Sequence, residues 1–105
     1  MVKKRFPGEA YTKVFDLISG MDKRPIPPAV LEWEVGRRAV PDQFSALGAL
    51  NERKSNLYII LRDLIGTRVL EATPGGIDIR EPAMPIEEAI GRMSEAGFIA
   101  NQVNT

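Results

Sequence analysis

This sequence predicts a mainly helical α/β domain with one β-hairpin, and three observations predict it. Apolar residues recur at helical spacing in several separate stretches, the period switches to two after Gly66, and a Thr73-Pro74-Gly75-Gly76 turn joins the two alternating segments. The 105 residues suit one domain and are too few for two ordinary ones. A chain of this size buries roughly two-thirds of its unfolded surface, enough for a core without staples. The domain is expected to span residues 9–99, between a mobile basic arm (1–8) and a short tail (100–105).

Each element has its own signal. In residues 9–21, Tyr11, Val14, Phe15, Leu17 and Ile18 form an apolar stripe, and Gly20 offers a stop. The prolines of Arg24-Pro25-Ile26-Pro27-Pro28 remove donors and bias the preceding residues away from helix, so this stretch is a loop. Pro28 suits a first helical position for a helix over 29–38, where Val30, Leu31, Trp33, Glu34 and Val35 fit either period. Asp42 is placed to cap a short helix over 42–50 with Phe44, Leu47 and Leu50 on its apolar face.

Residues 53–65 carry the clearest pattern. Leu57, Ile60, Leu61, Leu64 and Ile65 recur at i, i+3, i+4, i+7 and i+8, with Asn51 as a candidate cap and Gly66 at the C-terminal end. Strands follow over 68–72 and 76–80, the second strictly alternating. Pro85, acids in the first turn and Gly97 frame a last helix over 85–96, with Phe98 and Ile99 expected to fold back onto the body.

Composition narrows the function classes. An apolar fraction of 44% and a charged fraction of 27% describe a globular chain. Without cysteine there is neither a disulfide framework nor a thiolate metal site, which fits a reducing cytosol and a cytoplasmic protein. No apolar run approaches the roughly 20 residues that span a bilayer. The start, Met1 to Gly8, is basic but lacks the apolar stretch of a signal peptide, so no membrane partner is expected.

The residues also argue against an enzyme. With no His there is no ordinary general base near neutral pH. No Ser sits in a Gly-x-Ser-x-Gly elbow, and Gly75-Gly76 joins two strands instead of opening a phosphate-binding helix. Glu87-Glu88 are explained by a helix N-terminus, which leaves carboxylate-only chemistry as the one open catalytic route. No cofactor is implied.

Net charge is zero, yet residues 1–68 hold 12 Lys/Arg against 8 Asp/Glu, and residues 69–105 hold 2 against 6. A surplus of four on one part and a deficit of four on the other can make a positive face on a neutral protein, where an anionic partner docks. Chance solvation of surfaces explains the same numbers.

Phe44, Leu47-Gly48, Ser55-Asn56-Leu57, Leu61-Arg62-Asp63-Leu64-Ile65-Gly66 before Val69, and Gly75-Gly76-Ile77-Asp78-Ile79 together resemble the winged helix-turn-helix superfamily. The resemblance covers about residues 41–80, and its last stretch is similar to response-regulator output domains and MarR-type repressors. It implies 42–50 as a supporting helix, 53–65 as a recognition helix and 68–80 as a wing. The helix after the wing is an addition to the simple pattern.

What the resemblance implies is a sequence-specific binder of double-stranded DNA, a small bacterial or phage transcription regulator acting as a homodimer. Arg53, Lys54, Ser55, Asn56, Tyr58 and Arg62 would read DNA, with Arg68, Thr73 and Arg80 assisting from the wing. Such side chains suit that role, since Ser and Asn donate and accept, Arg takes guanine or phosphate, and Tyr reaches phosphate. Glu52 and Asp63, beside the same face, would repel phosphate. Ile59, placed outward by the helical wheel, supports the alternative of a protein-binding adaptor that keeps the winged-helix shape without touching DNA. Lys3-Lys4-Arg5 can follow a groove from the arm. Trp33 belongs in the core or at a dimer interface more readily than against a ligand, and the last helix either covers the core or pairs with a second subunit.

Overall fold

The computed structural model describes residues 4–100. The first helix, α1, is Gly8–Ser19, and its stripe is the reason it forms: Ala10, Tyr11, Val14 and Ile18, three and four apart, are all buried. Pro28 opens α2, Pro28–Gly36, where a missing N–H costs nothing. α2 turns Leu31 and Val35 inward and stops two residues earlier than expected, because Arg37 is already extended.

Between α2 and the next helix the expected helix over 42–50 does not form. Two 3₁₀ turns, Ser45–Leu47 and Leu50–Glu52, take its place. Gly48 separates them at φ +106°, a left-handed conformation no α-helix continues through, and Leu50, expected on the apolar face, is exposed. Asp42 does accept a hydrogen bond from the Phe44 amide at 3.1 Å, but it caps a turn rather than a helix.

The longest helix, α3, is Arg53–Gly66, with Leu57, Ile60, Leu61 and Leu64 buried as the periodicity predicts. Glu52 holds the N-cap position without a side-chain bond, so Asn51 does not cap it; the 3₁₀ turn feeds the helix directly. At the other end Arg68, not Gly66, takes the left-handed conformation, at φ +70°. The Val69 amide then reaches back to the Leu64 carbonyl at 2.9 Å, closing the helix end.

Strands β1, Leu70–Thr73, and β2, Gly76–Ile79, pair antiparallel with Thr73 opposite Gly76. Their ends differ slightly from the expected ranges. A contact that no sequence pattern signals widens this sheet: Ile26, in the proline loop, exchanges two hydrogen bonds of 2.8 Å with Ile77. That contact requires glycine at 76, since a Cβ there would lie 2.3 Å from the Ile26 carbonyl oxygen.

The last helix, α4, is Ile86–Glu95. It buries Ala89 and Met93 and turns Glu87, Glu88, Arg92 and Glu95 to water, so it covers the core. Ile99 forms a bridge with Phe6, and the Ala100 amide donates to the Phe6 carbonyl at 2.9 Å, whereas Phe98 is 43% exposed. Phe6 is buried, so the chain from Lys4 onward is held against the body and the expected arm does not extend over 4–8. Lys3 of the basic cluster and residues 101–105 of the tail lie outside the described residues.

The result is a mainly helical α/β arrangement, four helices and a two-stranded hairpin among the described residues, compatible with a winged-helix layout. None of these helices is long and apolar enough to cross a membrane.

Candidate nucleic-acid interface

α3 sorts the expected reading residues by the direction each takes around the helix. With Leu57, Ile60, Leu61 and Leu64 inward, Ser55 and Arg62 stand on the opposite side, two turns apart and both exposed. Arg62 is 69% exposed, and its guanidinium lies 3.5 Å from Asp63. Lys54 and Tyr58, also exposed, lie on the flank nearest α2: the Tyr58 hydroxyl donates to Glu32, and Lys54 lines a hollow with α2 residues. The Glu32 carboxylate raises the Tyr58 pKa above its ordinary value.

Arg53 and Asn56 do not belong to this face, contrary to the expectation from the sequence. Arg53 is 4% exposed; its Nε donates to the Gly48 carbonyl at 2.9 Å, and Nη1 to the Val35 carbonyl at 3.3 Å. Its two terminal nitrogens also hold the Asp42 carboxylate at 3.0 and 2.5 Å. That hydrogen bonding keeps the Asp42 carboxyl below its ordinary pKa. Asn56, also buried, donates to the Leu47 carbonyl at 2.6 Å and accepts from the Lys4 ammonium at 2.8 Å. Both side chains serve the chain itself: they satisfy carbonyls of the 37–52 connection and of the end of α2 that no helix satisfies.

Two further expectations change. Ile59 is half-buried and packs against the core, so it is not an outward apolar contact. Asp63, expected to repel phosphate, is half-buried and accepts the Tyr11 hydroxyl at 2.6 Å, which turns it toward α1. Burial first, and then this bond to Asp63, pushes the Tyr11 phenol well above its ordinary range. Glu52 remains exposed at the start of α3.

On the hairpin, the Thr73 hydroxyl donates to the Gly76 carbonyl at 2.9 Å and accepts from the Gly75 amide at 3.2 Å, so the turn uses it up. Arg68 is exposed and Arg80 half-exposed, and neither has an ion-pair partner among the described residues. Arg68 holds a left-handed backbone normally left to glycine, a conformation costing about 1–2 kcal/mol for an L-residue.

The expectation for Trp33 changes as well. It is 61% exposed, so a core role is ruled out. Arg37 lies over its ring, 4.9 Å from the centroid, and a hollow of about 400 Å³ opens beside it, lined by Ala29, Glu32, Gly36, Arg37 and Lys54. The sequence does hold the signal: with Leu31 and Val35 inward, a helical wheel puts Trp33 on the far side of α2.

Among the described residues no cluster of acidic side chains is arranged to hold a metal ion. Comparison with protein-family models, with curated proteins and with solved structures finds no match for this chain.

Proposed function

We propose that the protein is a winged-helix binder of double-stranded DNA that acts in transcription regulation. The observation that carries this reading is the outer line of α3, where Ser55 and Arg62 stand exposed with Lys54 and Tyr58 on the flank, directly before a hairpin bearing Arg68 and Arg80. A groove-facing helix needs short polar groups for base edges and cations for phosphates. Arg68 adds a second argument, since a strained backbone is kept at a position where glycine would relax it.

In this reading Arg62 and Ser55 meet the major groove, Lys54 and Tyr58 reach the adjoining backbone, and Arg68 and Arg80 contact the flanking phosphates. Arg53, Asn56 and Thr73 hold the scaffold. The chemistry is binding alone; no residue on this face is asked to act as nucleophile or general base.

Exposed Trp33 favours a second reading, a protein-binding module that does not touch DNA. Salt separates the two, because phosphate contacts release counterions and an apolar contact does not. Anisotropy of a labelled random-sequence duplex, titrated at low and then near-physiological salt, tests the proposal. Binding that is tight at low salt and falls steeply as salt rises is expected. No binding at low salt overturns the DNA reading.

A further inference from the structure

Trp33 is the only tryptophan of the chain, and the fold leaves most of it in water. The Arg37 guanidinium lies over its ring, 4.9 Å from the centroid. One guanidinium covers one face of an indole, which leaves the opposite face for a second flat group. Beside the ring opens the hollow of about 400 Å³, within the roughly 300–1,000 Å³ range of small-ligand sites. Ala29 and Gly36 are its small lining residues, and a Cβ built on Gly36 would meet nothing within 4 Å.

The charges of the hollow favour an anion. Among the described residues Glu32 is the one carboxylate that lines it, and that carboxylate already accepts the Tyr58 hydroxyl. Arg37 and Lys54 line it too, and Lys54 has no ion-pair partner among the described residues. Arg37 gives one nitrogen to Glu34 at 3.4 Å, where Glu34 lines a separate hollow with Leu17 and Asp42. A guanidinium carries five N–H donors, so others stay open to a phosphate oxygen.

An aromatic face and two cations in one hollow match a nucleotide, whose base stacks while its phosphates pair. An acidic peptide would use the cations and leave the indole face idle. A base inside a duplex has both faces covered by its neighbours, so only an unpaired base can stack on Trp33. Lys54 ties this base to the strand already considered, because it lines the hollow and also flanks the outer line of α3. We infer that a single strand adjoining the duplex crosses from Lys54 into this hollow, with one unpaired base stacked on Trp33 and a neighbouring phosphate held by Arg37. This rests on the DNA reading and deepens it: the preferred ligand is a duplex that opens into single strand beside α2.

Anisotropy of one duplex, blunt or with a short single-stranded extension, read together with the emission of Trp33, tests the inference. The extension is expected to tighten binding by about fivefold to a hundredfold, the range one base stacked on an aromatic ring supplies. It is also expected to quench Trp33, which the blunt duplex does not. Trp33→Ala and Gly36→Leu, the second filling the hollow, each remove the gain and leave binding of the blunt duplex and the far-ultraviolet circular dichroism spectrum unchanged. A blunt duplex that binds as tightly as the extended one overturns the inference and leaves the DNA reading standing. So does an extension whose gain survives Trp33→Ala. Quenching as strong with a mononucleotide assigns the hollow to a free nucleotide, and quenching as strong with a polyglutamate peptide shows that charge alone suffices; either overturns the strand. A single strand that quenches Trp33 while the blunt duplex does not bind overturns the duplex reading and keeps the hollow as a strand site.

Discussion

The Arg53 guanidinium holds the Asp42 carboxylate with two nitrogens, at 3.0 and 2.5 Å, across the connection between α2 and α3. The same side chain reaches the carbonyls of Val35 and Gly48, so one residue in the first turn of α3 ties the end of α2 to the 3₁₀ turns. This pair gives the fold an acid-sensitive contribution. The folded-state pKa of Asp42 lies below the ordinary 3.8, so the stabilisation is fully present above that value and is lost as pH falls through the lowered one. Wild type is expected to melt higher than Asp42→Asn at neutral pH, with the difference shrinking in acid. A difference that stays constant from neutral pH into strong acid would show that the charge of Asp42 contributes nothing.

Gly76 and Gly91 are expected to respond oppositely to alanine. At Gly76 the φ of +133° and the Ile26 carbonyl, 2.3 Å from where the methyl would sit, leave no room, and Gly76→Ala costs about 2–3 kcal/mol or more. Gly91 lies inside α4 with nothing within 4 Å, and Gly91→Ala gains about 0.5–1 kcal/mol in helix propensity. Urea denaturation of the two variants measures both signs. A neutral Gly76→Ala would mean that the Ile26–Ile77 bridge does not hold in solution.

Arg68 sets stability against binding. Arg68→Gly relieves the left-handed strain and is expected to stabilise by about 0.5–1 kcal/mol, after allowing for the freer unfolded chain. The same change removes a cation from the start of the hairpin and is expected to weaken duplex binding. Thermal melting and anisotropy on one preparation read both effects. A stabilised variant with undiminished affinity would leave Arg68 without a binding role.

Arg62→Ala is expected to leave the melting temperature nearly unchanged, because the side chain is exposed and its contact with Asp63 is long. Its effect falls on DNA: weaker binding, and a salt slope reduced by about one unit if the lost contact is to phosphate. Ile59→Asp is a poor probe of a protein partner, since Ile59 packs against the core and the substitution attacks the fold itself.

The parts of this fold legible in the sequence are those with local causes. The stripe Leu57, Ile60, Leu61 and Leu64 specifies α3 by its own spacing, and Pro74-Gly75 between alternating residues specifies the hairpin. The stretch 42–50 misleads because its carbonyls are satisfied from a distance, Leu47 by Asn56 and Gly48 by Arg53. Ile26 pairs as a single residue, so it leaves no period to read. In the candidate site, Ser55 and Arg62 follow from the wheel alone. Arg53 and Asn56 mislead because a polar side chain does not announce whether its partner is a phosphate or a carbonyl of its own chain.

Nitrogen-15 chemical-shift mapping with a duplex titrated onto the labelled protein tests the central claim most directly. The DNA reading predicts shifts concentrated at the amides of Lys54, Ser55, Tyr58 and Arg62 and along the hairpin from Arg68 to Arg80, with α1 and α4 little changed. Shifts confined to α1 and α4, or none at a salt concentration low enough to favour any phosphate contact, would contradict it.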